Sequence, residues 1–214
     1  DAAMNALAKM NPPSICRVID SGITAESQPY FAMEFIEGQT LESWLKNEQP
    51  DFESRLDIFG QLCLGISHAH ERGVIHRDLK PGNVMITNSG DGPAVKVIDF
   101  GLVKALHDPL TDRTLVTGKR FTLGTWNYMS PEQAKSRGSE VDIRSDIYSM
   151  GVMLYQMVCG RLPHEEFGEM SETEIIRILE EQLPKRPSQI KVLTDQKIPG
   201  IPVKKLRTEL DWII

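Results

Sequence analysis

Two short strings in the sequence carry the residues best suited to chemistry. Residues 76–83 read HRDLKPGN and place five polar or charged side chains between predicted apolar elements, a composition that burial alone would not select. Sixteen residues after Asn83, the string VIDFG ends a predicted strand on Asp99, followed by an aromatic residue and a glycine. A carboxylate at the end of a strand can hold a metal ion. The second string is therefore a candidate metal site.

The order of these strings resembles that of the catalytic domain of eukaryotic-type protein kinases. HRDLKPGN matches the H-R-D-x-x-x-x-N pattern of that family, and DFG matches its metal-binding pattern. Gly124-Thr125 and residues 128–132 (YMSPE) stand where the family closes its activation segment, and residues 145–151 (SDIYSMG) resemble its central buried helix. Three stretches are most similar to the bacterial members of the family: residues 128–134, 142–151 and 209–214.

The resemblance implies a role for each polar residue of the two strings. Asp78 would accept the proton of the attacking hydroxyl group, and Lys80, which accompanies serine and threonine specificity in the family, would stand beside the transferring phosphate. Asp99 would bind Mg²⁺ bridging the β- and γ-phosphates of ATP, and the Asn83 amide oxygen would hold a second ion, with Mn²⁺ as an alternative to Mg²⁺. Thr125 would hydrogen-bond to Asp78 and Lys80. The implied reaction transfers the γ-phosphate of ATP to Ser or Thr hydroxyl groups of protein substrates.

The resemblance also implies an adenine pocket. Met33 would lie at its back, and the backbone groups of Glu34 and Ile36 would form the hinge that hydrogen-bonds the edge of the base. Met85 and Ile98 would form the floor. The implied cofactor-binding residues are Glu34, Ile36, Lys80, Asn83, Met85 and Asp99.

Arg77, next to the predicted base, marks by resemblance a kinase whose activation loop becomes ordered when a phosphate pairs with that arginine. The candidate phosphate acceptors are Thr111, Thr114, Thr117 and Thr122. Autophosphorylation of this kind implies self-association of the protein. The alternative interpretation is that these threonines are ordinary polar loop residues, since residues 102–130 have the composition of a mobile loop.

The sequence also gives predictions for Asp146, for two cysteines and for four histidines. Asp146 falls in an otherwise apolar helical pattern, where burial would be costly without hydrogen bonds, and the family uses such an aspartate to hold the backbone of the catalytic loop. Cys63 and Cys159 fall in apolar patterns and are predicted to be buried small hydrophobic residues. Four histidines have no ligand-like partners and are not expected to be catalytic: His68, His70, His107 and His164.

Periodicity, together with the resemblance, predicts an α+β protein-kinase-like fold. Strands are predicted at residues 15–20, 30–36, 84–87 and 95–98, and helices at 1–10, 52–72, 143–158 and 172–181. The apolar pattern of the helix at 143–158 includes Ile147. Gly73 would supply a left-handed stop to the second helix. The resemblance divides the chain into a remnant of the β-rich N-lobe (1–36) and a mainly helical C-lobe (37–214), with a catalytic loop at 76–83 and an activation segment at 99–132.

The composition restricts the function classes. With 214 residues, of which 40% are hydrophobic and 25% charged, the chain can bury a core. Its net charge of −6 has the opposite sign from that of a nucleic-acid binder. No apolar run reaches the roughly 18 residues that span a bilayer and no leader opens the sequence, so neither membrane contact nor secretion is expected of this segment. Three cysteines without metal or disulfide spacing favour a cytoplasmic setting.

Two features depart from the family pattern. The Gly-rich loop and the β-strand lysine are absent from these residues, and the first and last residues indicate a chain cut at both ends, so the segment alone is expected to be inactive. A gap-free count also places Ala3 where the family's lysine-partner glutamate stands. A pseudokinase that serves as a scaffold is therefore the alternative, although the intact polar residues of the two strings oppose it. A small-molecule phosphotransferase is a second alternative, opposed by residues 124–132, which shape a protein-substrate groove.

Overall fold

The computed structural model describes residues 13–26, 28–90, 92–100, 126–136, 142–164, 167, 170–190 and 210–211. Across these residues the chain forms an α+β fold of five α-helices and two small antiparallel sheets, which confirms the predicted fold class. The predicted helix at residues 1–10 and most of the predicted loop at 102–130 lie outside the described residues. Within the described part, no helix is both long and apolar enough to cross a membrane.

The first sheet pairs β1 (Val18–Ile23) with β2 (Pro29–Met33) in antiparallel fashion, as the sequence predicts. β1 begins at Val18 rather than at residue 15, because Ile15 does not pair with β2. Ile15 forms a parallel bridge with Val97, and the neighbouring Cys16 N–H donates to Val97 O at 2.9 Å. This bridge joins the segment before β1 to Val97, the first residue of the VIDFG string.

The second sheet contains β3 (Gln39–Thr40), β4 (Val84–Ser89) and β5 (Gly92–Val97) in the order β3-β4-β5. The β4-β5 hairpin is confirmed, and its strands extend closer to the turn than predicted because Gly92 adopts a φ of 118°. The sequence does not predict β3, because a strand of two residues is too short to show the alternation of apolar and polar residues by which strands are predicted. The start of β4 pairs with the end of β5, so both strings found in the sequence meet at the same end of this sheet.

The first two helices begin at side-chain caps. Thr40 caps α1 (Leu41–Asn47) and Asp51 caps α2 (Phe52–His70), each accepting a hydrogen bond from a backbone N–H of the first turn. α2 confirms the long predicted helix, and Gly73, with a φ of 71°, takes the predicted left-handed conformation. α1 was not predicted, because its apolar positions cover only two turns.

The remaining helices are α3 (Pro131–Ser136), α4 (Ile143–Cys159) and α5 (Glu172–Glu181). α4 and α5 confirm the two predicted helices. Asp142 caps the start of α4, and Gly160 ends the helix in the left-handed region with a φ of 67°. α5 begins with a reciprocal capping box.

The main core lies where α2, α4 and the second sheet meet. Its buried side chains come from all three and include Leu62, Ile66, Ala69, Val84, Val95, Val97, Met153 and Met157. Burial of this apolar surface holds the two strand ends against α2. Ile147, assigned to the apolar face of α4 by its pattern, is instead 53% exposed, because Ser145, Asp146 and Ser149 form the buried face at that end of the helix.

The three cysteines are free thiols. Cys16 is buried, whereas Cys63 and Cys159 are only half-buried, so the predicted burial of the two helical cysteines is not complete. Cys159 lies at the edge of a small apolar cluster rather than inside it. Burial raises the pKa of Cys16 to about 11 and that of Cys159 to about 12, so these thiols stay protonated at neutral pH.

Candidate active site

The 76–83 loop is held by a buried carboxylate of α4. Asp146 is 1% exposed and accepts hydrogen bonds from the backbone N–H of His76 (2.8 Å, to Oδ2) and of Arg77 (2.9 Å, to Oδ1). His70 Nε2 lies 2.8 Å from the same Oδ2. The predicted support of this loop by Asp146 is confirmed.

The backbone is strained within each of the two strings. Arg77 has a φ of 66° and Asp99 a φ of 57°, the left-handed region that favours glycine. A residue with a Cβ atom in this region costs about 1 to 2 kcal/mol. Such a conformation persists only where surrounding contacts over-determine it. The hydrogen bonds to the backbone of Arg77, from Gln133 and to Asp146, are therefore the ones that hold the 76–83 loop in this conformation.

His76 connects the two strings. Its Nε2–H donates to Ile98 O at 2.9 Å, and its Nδ1 accepts from Asp78 N–H at 3.3 Å. Its ring also packs against Phe100, with ring centroids 4.8 Å apart. Complete burial lowers the pKa of His76, so the imidazole stays neutral with its proton on Nε2. This neutral ring ties the backbone of the predicted base to the residue before Asp99.

Asp78, Lys80 and Asn83 form one hydrogen-bonded group. Asp78 Oδ2 accepts from Lys80 Nζ at 2.9 Å and from Asn83 Nδ2 at 3.1 Å, and Asn83 Nδ2 also donates to Asp78 O at 2.7 Å. The side chain of Asp78 is 35% exposed. The group thus combines an oriented carboxylate, a lysine ammonium group beside it and access from solvent.

Asp99 and Asn83 are the candidate ligands for a cation. Ile98 N–H donates to Asn83 O at 2.9 Å, which brings the residue before Asp99 onto the 76–83 loop. Because the Asn83 amide nitrogen is bonded to Asp78, its amide oxygen is the atom left for a cation. No cluster of three or more His, Cys, Asp or Glu ligands occurs among the described residues. One carboxylate and one amide oxygen suit a hard cation such as Mg²⁺, which takes its other ligands from water and phosphate oxygens.

The predicted hinge is anchored through the side chain of Glu34. Its Oε1 accepts from Arg17 N–H at 2.9 Å and from Lys96 Nζ at 2.8 Å, and its backbone N–H donates to Arg17 O at 3.0 Å. The hydrogen bond from Lys96 is the main cause of the lowered pKa of Glu34. Ile36, Met85 and Ile98, the other residues of the predicted adenine pocket, are all partly buried. The Glu34 side chain is thus bound within the protein rather than presented to a ligand.

A small cleft opens beside Asp78. Its lining residues are Arg77, Asp78, Leu79, Tyr128, Met129, Gln133 and Ser149. Tyr128 is fixed on this wall because its hydroxyl donates to Gln156 Oε1 at 2.7 Å and its carbonyl accepts from Ser149 Oγ at 2.7 Å. The residues just before α3 therefore face the predicted base.

Several predicted site residues lie outside the described residues. They are Ala3, Gly101, Thr111, Thr114, Thr117, Thr122, Gly124 and Thr125. Their assigned roles remain predictions.

Comparison with known proteins decides the family. The family described as "Protein kinase domain" matches residues 3–206, nearly the whole chain. The chain belongs to the protein kinase family. Membership implies the use of ATP and a divalent cation in general, which fits the donor set of Asp99 and Asn83.

Curated relatives of this kinase chain are bacterial serine/threonine-protein kinases. Pkn3 of Myxococcus xanthus is 44% identical over 162 residues, covering 75% of this chain and 29% of the relative. PknB of Mycobacterium leprae is 41% identical over 165 residues (75% and 25%), and the probable PknB of Lactococcus lactis is 36% identical over 180 residues (84% and 27%). The kinase chain therefore spans less than a third of the length of each of these relatives.

Two contacts of the kinase site were missed in the sequence. Gln133 Nε2 donates to Arg77 O at 2.9 Å, and His70 lies against Asp146, although neither was expected to have a partner at the site. The partners are separated by 56 and 76 residues. Motif patterns compare neighbours along the chain, so they give no signal for such pairs.

The buried His76 predicts a pH dependence of stability. Burial lowers the pKa values of His76 and His164 below the usual 6.5, so the unfolded chain binds more protons than the folded kinase below that pH. Stability is therefore fully present above pH 6.5 and falls as the pH drops below it, by up to about 1.4 kcal/mol per pH unit for the fully buried His76 and by less for the half-buried, solvent-screened His164. Urea unfolding at pH 7.5, 6.5 and 5.5 measures this slope. His76→Gln should flatten it, and an unchanged slope in that variant would contradict the assignment.

Proposed function

We propose that this chain is the larger part of the catalytic domain of a serine/threonine-protein kinase that transfers the γ-phosphate of ATP to Ser and Thr hydroxyl groups of proteins. The observation that carries the proposal is the Asp78 carboxylate, oriented by Lys80 and Asn83 and accessible from the cleft beside it. Family membership and the names of the bacterial relatives support the same reaction class.

The proposed mechanism uses positioning and charge. Lys80 and Asn83 both contact Oδ2 of Asp78, which leaves Oδ1 for the proton of the attacking hydroxyl group. The ammonium group of Lys80, 2.9 Å from Asp78 Oδ2, would stabilise negative charge on the transferring phosphate. Asp99 and Asn83 would hold Mg²⁺, or Mn²⁺ in its place, and the bound cation neutralises phosphate charge. Thr125 would hydrogen-bond to Asp78 and Lys80.

The adenine of ATP would bind at the hinge. We assign the hydrogen bonds to backbone groups of Glu34 and Ile36, with Met85 on the floor of the pocket. The anchoring of the Glu34 side chain by Lys96 supports this assignment, because it fixes the backbone that must face the base. In this proposal residues 1–36 are the N-lobe remnant and residues 37–214 belong to the C-lobe.

Regulation would act through Arg77. A phosphate on Thr111, Thr114, Thr117 or Thr122 would pair with its guanidinium group, and self-association would allow one chain to modify another. The strained, doubly held backbone of Arg77 supports this role, since it presents the side chain from a fixed position. We propose a cytoplasmic location for the domain and protein substrates as its partners.

Transfer of labelled γ-phosphate tests the function. The full-length protein is expected to label a generic protein substrate and itself on Ser and Thr, but not on Tyr. A chelator should abolish labelling, and Mg²⁺ or Mn²⁺ should restore it. Mapping of the labelled peptides shows which loop threonine is modified.

Two results would overturn the proposed function. Labelling of sugars or antibiotics with none of protein would indicate a small-molecule phosphotransferase. Nucleotide binding without any transfer would indicate a pseudokinase. The intact group of Asp78, Lys80 and Asn83 favours the active enzyme over the pseudokinase, and the resemblance of residues 124–132 to a protein-substrate groove favours it over the small-molecule phosphotransferase.

A further inference from the structure

Gln133 of α3 joins two parts of the site that are distant in sequence. Its Nε2 donates to Arg77 O at 2.9 Å, and its Oε1 accepts from Ser130 N–H at 3.1 Å. The residue is buried, and its own backbone N–H donates to Ser130 Oγ at 3.3 Å. One side-chain amide therefore bridges the 76–83 loop and the segment that precedes α3.

The bond to Arg77 O acts on the peptide plane just before Asp78. The carbonyl of that peptide is held by Gln133, and its N–H, which belongs to Asp78, donates to His76 Nδ1. Asp146 holds the peptide on the other side of Arg77 through the Arg77 N–H. Rotation of the Arg77–Asp78 peptide would turn the Asp78 carboxylate, and Gln133 and His76 together prevent that rotation.

The bond to Ser130 fixes the other end of the bridge. Ser130 is fully buried, and its Oγ donates to Ser145 Oγ at 3.1 Å. Ser145 Oγ in turn donates to Glu132 Oε1 at 2.8 Å. Tyr128 and Met129, immediately before Ser130, line the cleft beside Asp78. The side-chain amide of Gln133 thus connects the backbone next to Asp78 with the segment that forms the wall of this cleft.

We propose that Gln133 is a positioning residue for phosphoryl transfer. It sets the orientation of the Arg77–Asp78 peptide, and with it that of the Asp78 carboxylate, relative to the cleft wall at residues 126–130. The inference rests on the proposed kinase function and deepens it. Gln133 acts through Asp78, so its loss should lower kcat and leave the KM for ATP unchanged.

The test uses Gln133→Glu and Gln133→Met in the full-length protein. Q133E keeps the length of the side chain and the acceptor for Ser130 N–H, but its carboxylate cannot donate to Arg77 O. Q133M removes both bonds at similar volume. We expect kcat for protein phosphorylation to fall about 10- to 100-fold in both variants, because small misplacements of reacting groups have effects of this size. The KM for ATP should stay within about twofold, as expected for a residue whose bonds orient the base rather than bind the nucleotide.

Gln61 provides a matched control within the same chain. Its Nε2 donates to Pro93 O at 3.1 Å and its Oε1 accepts from Val95 N–H at 3.0 Å, so it makes the same two-sided bridge between α2 and β5. Q61E and Q61M should lower the melting temperature less than the Gln133 variants do, because Gln61 is only partly buried whereas Gln133 is buried. Their kcat should remain close to that of the wild type.

The outcomes separate the inference from the function on which it rests. A fall in kcat in the Gln133 variants alone, at a temperature where the melting curves show all four variants folded, supports positioning. An active wild type with equal kcat losses in the two pairs of variants overturns the inference and leaves the kinase function standing. An inactive wild type overturns both. Should Q133M fail to fold, Q133E, which retains the Ser130 bond, decides the question.

Discussion

Asp78→Asn is expected to lower kcat by about 10² to 10⁴, the usual contribution of a general base. The substituted amide can still accept hydrogen bonds from Lys80 and Asn83, so the loop should keep its shape. It cannot take up the proton of the hydroxyl group. Steady-state transfer of labelled γ-phosphate in the full-length protein measures the loss, and the KM for ATP should change little because the role proposed for Asp78 is at the acceptor hydroxyl group rather than at the nucleotide.

Asp57→Asn is the control for this experiment. It makes the same chemical change at an exposed position of α2. Its kcat should equal that of the wild type, since surface substitutions away from the site have small effects. If Asp78→Asn retained the same activity as Asp57→Asn, Asp78 would not be the base.

Asp146→Ala is expected to reduce the free energy of unfolding by about 3 to 5 kcal/mol and to reduce phosphate transfer as well. The substitution leaves the N–H groups of His76 and Arg77 without their acceptor in a buried setting, and each unsatisfied donor costs about 1 to 3 kcal/mol. It also removes the partner of His70. Urea unfolding monitored by circular dichroism measures the stability, and the transfer assay measures the activity.

Asp142→Asn is the matched control on the same helix. Asp142 caps α4 with its side chain at the surface, and asparagine caps helices about as well as aspartate. Its stability should therefore remain close to that of the wild type. A loss smaller than about 1 kcal/mol for Asp146→Ala would show that the 76–83 loop does not depend on this carboxylate.

Much of the fold could be predicted because its signals are local. The apolar period of α2, the left-handed stop at Gly73 and the apolar pattern of α4 each depend on residues a few positions apart. β3 and α1 were missed because they are too short to show a period. The surface position of Ile147 was missed for another reason: polar residues, with partners elsewhere in the chain, form the buried face at the start of α4.

The candidate site was predictable only in part. Its motifs predicted Asp78, Asn83 and Asp99, because the resemblance to the kinase family assigns a role in phosphoryl transfer to each of them. The bond from Gln133 to Arg77 and the anchoring of Glu34 by Lys96 were not predictable, since the partners come together only after the chain has folded. Sequence patterns thus identified the chemical groups, whereas tertiary contacts identified what orients them.

The left-handed Arg77 has a consequence for the way the kinase is made. Its backbone is held by groups that the ribosome adds 56 and 69 residues later, in α3 and α4. At about 5 to 20 residues per second, the loop therefore leaves the ribosome roughly 3 to 14 seconds before the contacts that offset its strain exist. During that interval the nascent chain carries all the residues of the HRDLKPGN string but lacks their arrangement. The arrangement proposed for catalysis is thus delayed until the helices that hold Arg77 have been synthesised.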